Sequence, residues 1–391
     1  MKLYDTLSRK KEELVPIKNN QVSIYVCGIT PYDTTHLGHA FTYVFFDALI
    51  RYLKFKGYKV NYTQNVTDID DDVLKKAKET SMNWIELGNF WTDNFLKDLN
   101  FLNVFPPTNY VKATGSMEKI IEIVSGLIYK KLAYENEGNV YFNVNKFKKY
   151  GELSKYTREQ MIIISKERGA DPSDPLKKDP LDFILWQKTK EDEPFWQSPW
   201  GKGRPGWHIE CSAMINTYLG KQIDIHGGGR DLVFPHHESE IAQSESYTDK
   251  KPFVKYWMHT SMVIFEGEKM SKSLGNMIMV ADLSKKYSAN AIRFLFLSHH
   301  YRKSWEFDYS EIEEAQGKVL DIDKALNKKL IENKDAMDYI KQFELFMDDD
   351  LNTPKALNLI YEISQNINSG KETSKKIQRN LKNSLKLLGF K

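Results

Sequence analysis

The apolar and polar positions at the start of the chain fall into a strand, a turn, a helix and a second strand. Val22 to Val26 (VSIYV) is a short unbroken apolar run, the pattern of a strand covered on both faces. It leads into CGITPYDTTHLGHA, a turn rich in Gly, Pro, Thr and His. FTYVFFDALIRYLKFKG then carries apolar residues at helical spacing and ends at Gly57, a residue suited to a C-cap. KVNYTQNV alternates and is β-prone, and the acidic TDIDDD precedes another helical stretch. This order predicts the opening of a parallel α/β domain.

From about Trp84 to Thr157 the pattern is mainly helical, broken by PPTNY and by the β-like NVYFNVN, and it predicts an insertion. Asp171 to Gly206 is punctuated by prolines and tryptophans and reads as ordered loop. The α/β pattern resumes in WHIECSAMINTYLG, IDIHGGG and a helix beginning near Phe234. YWMHTSMVIFEGEKMSKSLGN reads as a strand followed by a Gly/Ser/Lys loop. Beyond Ser310 the sequence is helical and charged, with DDDLNTP marking a helix start near Asn352. Two units are expected: an α/β domain over residues 1–309, with its insertion at about 84–157, and a C-terminal helical bundle over 310–391.

Composition narrows the class. The chain has 391 residues with 56 Lys+Arg against 53 Asp+Glu, so it is no strongly basic nucleic-acid coat. Two cysteines cannot form a disulfide framework. No apolar run reaches the roughly 18 residues of a membrane span, and the N-terminus lacks the apolar core of a signal peptide. A cytoplasmic protein without a membrane partner is expected, with a monomer as the default.

Three segments carry chemistry. His36-Leu37-Gly38-His39 lies where a strand runs into a helix, a place where free backbone N–H groups and a positive dipole end meet an anion. Lys269-Met270-Ser271-Lys272-Ser273 sits between Gly267 and Gly275, and two lysines three apart suit a clamp on a polyphosphate. Either segment alone reads equally well as ordinary polar turn or solvated loop. In this order and together they resemble the HIGH and KMSKS motifs of class I aminoacyl-tRNA synthetases. The resemblance implies a Rossmann-type catalytic domain that binds ATP with Mg2+, with His36, His39, Lys269 and Lys272 stabilising the charge of amino-acid adenylation.

The third segment is dispersed. Cys27 opens the first motif, Cys211 follows GRPGWHIE, and FPHHESE places His236 and Glu240 at i, i+4 on one helical face. Two thiolates, an imidazole and a carboxylate fit a zinc site; two buried free cysteines beside surface residues fit the spacing as well. YVCG, HLGH, NVTDIDD, KKDPLDFILW, GRPGWHIECSAM, DIHGGGRDLVFPHHESEIAQSE and GEKMSKSLGN together resemble the cysteinyl-tRNA synthetase family over most of residues 22–276. That resemblance implies a Zn2+ held by Cys27, Cys211, His236 and Glu240, which binds the thiolate of L-cysteine. It further implies that Thr67 and Trp207 line the cysteine pocket and that Asp231 offers a carboxylate to the substrate ammonium group. His226, Gly227, Gly228 and Gly229 fall on the adenosine side. Cysteine and serine differ by one atom, which a pocket of fixed size separates poorly and a soft metal separates well.

The sequence also departs from that family. CGITPYD, ERGADPSDPLKKDPLDFILW and LSHHYRKSWEF are similar to the paralogous ligase of mycothiol synthesis, which joins activated cysteine to the amine of glucosaminyl-inositol, and no separate anticodon-binding domain follows the helical region. Glu240 and His226 follow the synthetase pattern instead. The expectation is therefore transfer of cysteine to tRNA(Cys), with the amine ligase as the alternative. Residues 371–391 carry seven Lys/Arg against one Glu, a basic end suited either to tRNA phosphates or to an exposed terminal helix.

Overall fold

In the computed structural model, which describes all residues except Thr34, 271–274 and 333–338, the chain is organised around a five-stranded sheet. Its strands are β1 (Gln21–Ile29), β2 (Lys59–Val66), β3 (Asn109–Lys112), β4 (Ile223–Gly229) and β5 (Val254–Thr260). They lie in the order β5-β4-β1-β2-β3, and every neighbouring pair is parallel. Growth runs outward from β1 to β3 and then crosses back to β4. The reversal between β1 and β4 is a topological switch point, where the carboxyl ends of the strands open a crevice.

The apolar run of β1 divides between two cores, as a strand covered on both faces requires. Val22, Ile24 and Val26 pack on one side, and Tyr25 and Cys27 on the other. The first side is covered by α1 (Leu37–Phe55), whose C-terminus passes through Gly57 at a φ of 88°. The second is covered by α2 (Trp207–Tyr218) and α3 (Glu238–Thr248). Gly227 is where α1 comes closest to β4, since a Cβ there would lie 2.1 Å from Phe46 Cζ. The α/β class expected from the strand-helix alternation is the observed one.

The insertion is drawn differently from the expectation. The helix Trp84–Phe101 connects β2 to β3 within the central sheet, so it belongs to the parallel domain. What departs from the sheet between β3 and β4 carries a second sheet of five strands: Ala133–Asn136, Asn139–Phe142, Phe183–Lys188, Trp196–Ser198 and Gly201–Pro205. All its pairings are antiparallel. Three of these strands fall in the segment read as loop. They are three to six residues long, the last of them built of Gly and Pro among polar residues, and too short to show a clear period.

The C-terminal region consists of Ala289–Ser298, Tyr309–Asn327, Tyr339–Asp348, Thr353–Ser369 and Lys375–Leu387. Asn352 caps the fourth of these through the Lys355 N–H, as the DDDLNTP pattern predicts. These helices share one continuous core with α1. Among the described residues no helix is long and apolar enough to cross a membrane.

One buried cation joins the parts. Arg293 is 0% exposed and donates to Asp47 Oδ2 of α1 at 2.5 Å, to the Leu102 carbonyl at 2.7 Å and to the Leu388 carbonyl at 2.6 Å. Asp47 Oδ2 also takes Arg51 Nε at 2.8 Å, so loss of Arg293 leaves the carboxylate paired but strips the buried Leu102 and Leu388 carbonyls of their donor, at a cost of about 1–3 kcal/mol each. Arg293→Met is therefore expected to lower unfolding stability by about 2 kcal/mol or more, read from urea denaturation followed by far-ultraviolet circular dichroism.

Candidate active site

Three elements converge on the switch point. Cys27 ends the regular part of β1, where its carbonyl accepts from the Tyr43 hydroxyl at 3.0 Å. Cys211 sits in the second turn of α2, which starts after Gly206; a Cβ at Gly206 would lie 2.1 Å from the Ile184 carbonyl oxygen. His236 and His237 come from the irregular turn Val233–His237, in which Phe234 is extended at φ −140° and ψ 135°. The regular helix begins only at Glu238, four residues after the start expected from sequence, and it carries Glu240.

These side chains meet in one buried cluster. Cys27 Sγ lies 3.9 Å from Cys211 Sγ, 3.2 Å from His237 Nε2 and 4.0 Å from Glu240 Oε1. Glu240 Oε1 lies 3.1 Å from His236 Nε2, and its Oε2 lies 3.0 Å from His226 Nε2. None of the six is more than 6% exposed. The two cysteines are free thiols.

Burial and mutual contact set the charges. Burial alone would raise the Glu240 carboxyl, yet the imidazoles of His226 and His236 hold it at about 2. Burial opposes the charge on His236, but Cys211 and Glu240 push it up to about 10. Cys211 is likewise disfavoured as a thiolate by burial, but hydrogen bonding from Cys27 and the His236 charge bring it down to about 6. Burial, then Cys211 and Glu240, raise Cys27. His237 is pushed down by burial and by the imidazoles of His226 and His259. Without a bound ion the site is thus a thiolate and a carboxylate around an imidazolium.

The donor set fits a metal ion. A tetrahedral ion with ligand bonds of about 2.0–2.3 Å has donor-to-donor edges of about 3.3–3.8 Å. The sulfur–sulfur, sulfur–nitrogen and nitrogen–oxygen separations of 3.9, 3.2 and 3.1 Å are of that size. Three of the four predicted ligands, Cys27, His236 and Glu240, lie with His237 so that all four donor atoms are within 4.8 Å of one another. The fourth predicted ligand, Cys211, joins them through Cys27 Sγ at 3.9 Å. The structure adds His237, whose Nε2 is 3.2 Å from the same sulfur. Its only signal in the sequence was the His-His pair, where helical spacing drew attention to the first member. His237 is also anchored behind, through His259 Nε2 at 2.8 Å and then Thr6 Oγ1 at 2.8 Å.

The other predicted residues separate into groups. Trp207 stacks on His236 with ring centroids 4.4 Å apart. Thr67 lies at the carboxyl end of β2, 3% exposed, with its N–H bonded to the Ile29 carbonyl at 2.9 Å. Asp231 faces Arg168 at 3.4 Å. His226, grouped by sequence with the three glycines on the adenosine side, instead turns into the cluster: successive strand residues point to opposite faces, and Gly227 faces α1 while His226 faces Trp257 and Glu240. Gly228 and Gly229 border His237 and Asp231 respectively.

At the mouth of the crevice, His36 is the N-cap of α1, with its Nδ1 accepting from the Gly38 N–H at 3.1 Å. Its ring stacks on that of His39 at 3.9 Å. Both imidazoles therefore stand at the positive end of a 19-residue helix. Lys269 pairs through its backbone with Ile264, and Lys272 lies outside the described residues. The segment that follows returns to this helix end, where Leu37 N donates to the Ile278 carbonyl at 2.9 Å.

Comparison with known proteins places this geometry in a family. Residues 13–317 match the family described as tRNA synthetases class I (C) catalytic domain, and residues 342–390 match the DALR domain. Curated proteins called cysteine–tRNA ligase are similar over most of their length. That of Dehalococcoides mccartyi strain 195 is 47% identical over 94% of this chain and 81% of its own. That of Wigglesworthia glossinidia brevipalpis is 41% identical over 100% of this chain and 85% of its own. The fold is also that of Mycobacterium tuberculosis methionyl-tRNA synthetase in complex with methionyl-adenylate, with a TM-score of 0.69 at 14% identity, covering 94% of this chain and 88% of that one.

The charge assignment has a direct optical consequence. In metal-stripped protein, half of the thiolate absorbance near 240 nm should appear around pH 6, as Cys211 ionises. The half due to Cys27 should wait for strongly alkaline pH. Cys211→Ser should abolish the low-pH half.

Proposed function

The chain belongs to the class I (C) tRNA synthetases, and we propose that its buried thiol–imidazole–carboxylate cluster is the amino-acid selector of a cysteine–tRNA ligase. The reaction is ATP-dependent activation of L-cysteine followed by its transfer to tRNA. Relatives of that name, 41–47% identical over nearly the whole chain, support it over ligation to a small amine. The observation that carries the reading is the position of the cluster. It lies at the switch point, at the carboxyl end of the strand from which the chain runs on into α1, where an amino acid held by its side chain would present its carboxylate to a nucleotide.

Zinc suits this donor set and, bound to Cys27, Cys211, His236 and Glu240, would accept the substrate thiolate and refuse the hydroxyl of serine. His237 and His226 flank the ligands and hold Cys27 and Glu240 in place. Trp207 packs against His236 and closes one wall, while Thr67 and Asp231 offer polar groups to the backbone of the amino acid. Gly228 and Gly229 leave room for the adenosine.

The nucleotide enters as its Mg2+ complex. His36 and His39, at the positive end of α1, receive its phosphates, and Lys269 and Lys272 bring two further positive charges. The cysteine carboxylate oxygen forms a bond to the α-phosphorus as the bond to pyrophosphate breaks, and these four residues stabilise the charge that builds between them. A 3′-terminal ribose hydroxyl of tRNA then attacks the cysteinyl carbonyl and AMP leaves. Lys375, Lys382 and Lys386 are exposed on one face of the last helix and suit the phosphate backbone of the tRNA.

Two assays test this. ATP–pyrophosphate exchange should depend on cysteine, and charging of total tRNA should follow; exchange without charging, with consumption of the adenylate by glucosaminyl-inositol, would contradict the assignment. Cys211→Ala should lower the preference for cysteine over serine in exchange by about 100-fold or more. An unchanged preference would remove the cluster from the selection step.

A further inference from the structure

Asn65, in the same NVTD segment as Thr67, is 2% exposed and has no role in the account so far. It sits at an irregularity between β1 and β2, where the regular register is lost between Val26 and Ile29. The two tips approach so closely there that a Cβ on Gly28 would lie 1.6 Å from the Asn65 carbonyl oxygen. The Gly28 N–H, beside the metal-ligand candidate Cys27, donates to Asn65 Oδ1 at 2.8 Å. Asn65 Nδ2 in turn donates to Thr67 Oγ1 at 3.2 Å.

The direction of this chain is fixed. A backbone N–H only donates, so the Asn65 carbonyl oxygen must face Gly28 and its amide nitrogen must face Thr67. The Thr67 hydroxyl then accepts on that side, which leaves its own proton directed away from Asn65. The relay thus runs from the backbone beside Cys27, through the Asn65 amide, to the Thr67 hydroxyl.

We propose that Asn65 is a positioning residue for the amino-acid pocket, holding the Thr67 hydroxyl in a single hydrogen-bonding direction. The inference rests on Thr67 lining the pocket. Asn65→Asp keeps an acceptor for Gly28 but loses the donor to Thr67. The Thr67 proton would then turn toward residue 65.

The test is ATP–pyrophosphate exchange by the full chain at varied cysteine, for Asn65→Asp, Thr67→Val and the double variant, with melting temperature and bound metal measured beside it. Asn65→Asp should raise KM for cysteine about tenfold with kcat within about twofold. Added to Thr67→Val it should raise KM no further, because the two residues act as one unit. Multiplying effects, or a KM unchanged by Asn65→Asp alone, would overturn the relay and leave the functional reading intact. A KM unchanged by Thr67→Val would overturn the pocket assignment of Thr67 and the relay with it. Asn65→Ser, which is too short to bridge Gly28 and Thr67, is the parallel variant should the buried carboxylate prevent folding; it too should raise KM for cysteine with kcat little changed, and an unchanged KM would overturn the relay.

Discussion

A carboxylate or a thiolate withdrawn from water costs several kcal/mol unless charges of opposite sign or hydrogen bonds surround it, and this protein buries Glu240 and both cysteines in one cluster, with Cys27 Sγ 4.0 Å from Glu240 Oε1. The fold answers with imidazoles: His236, held charged by Cys211 and Glu240, and His226 on the two oxygens of Glu240, and His237, pushed down by burial, on the sulfur of Cys27. Two of these imidazoles are oriented from behind. His237 leans on His259, His236 has His208 Nδ1 at 3.1 Å from its own Nδ1, and Gln243 holds the His208 carbonyl. Removing water makes every one of these contacts stronger, and it makes every unmade contact more expensive. A site of this kind has to be assembled on rigid elements, and it is.

The parallel sheet supplies that rigidity. β1 and β4 are adjacent at the switch point, so the end of one delivers Cys27 beside the histidine and glycines of the other. The helices α2 and α3 then descend on the same face with Cys211 and Glu240. On the opposite face α1 carries His36 and His39 at its first turn and shares its core with the C-terminal helices. The buried cluster and the histidine pair are thus placed on two faces of one sheet. The Arg293–Asp47 pair fixes the middle of α1 against residues 102 and 388, so the helix that presents the histidines is held along its length.

The parallel sheet and the C-terminal helices were legible because both faces of β1 are buried and because Gly57 and Asn352 mark helix ends with specific cap chemistry. The antiparallel sheet of the insertion was not. Its strands are held by pairing with partners distant in sequence, such as Gly203 with Lys188, and carry no period of their own. At the site, motif resemblance pointed to residues from three segments up to 213 positions apart that spacing alone left undecided. It missed His237 and misplaced His226 because both depend on which way a side chain points at a strand end or in an irregular turn. Asn65 gave no signal of its own. It accepts from Gly28 and donates to Thr67, contacts that become visible only when the two strand tips are seen as neighbours.

The central claim is that the buried cluster recognises the amino acid through its sulfur. X-ray absorption at the metal edge of zinc-loaded protein tests it most directly. With two sulfur neighbours from Cys27 and Cys211 in the free protein, addition of cysteine should raise the sulfur count to three, and addition of serine should leave it at two. A count that stays at two with saturating cysteine would contradict the account.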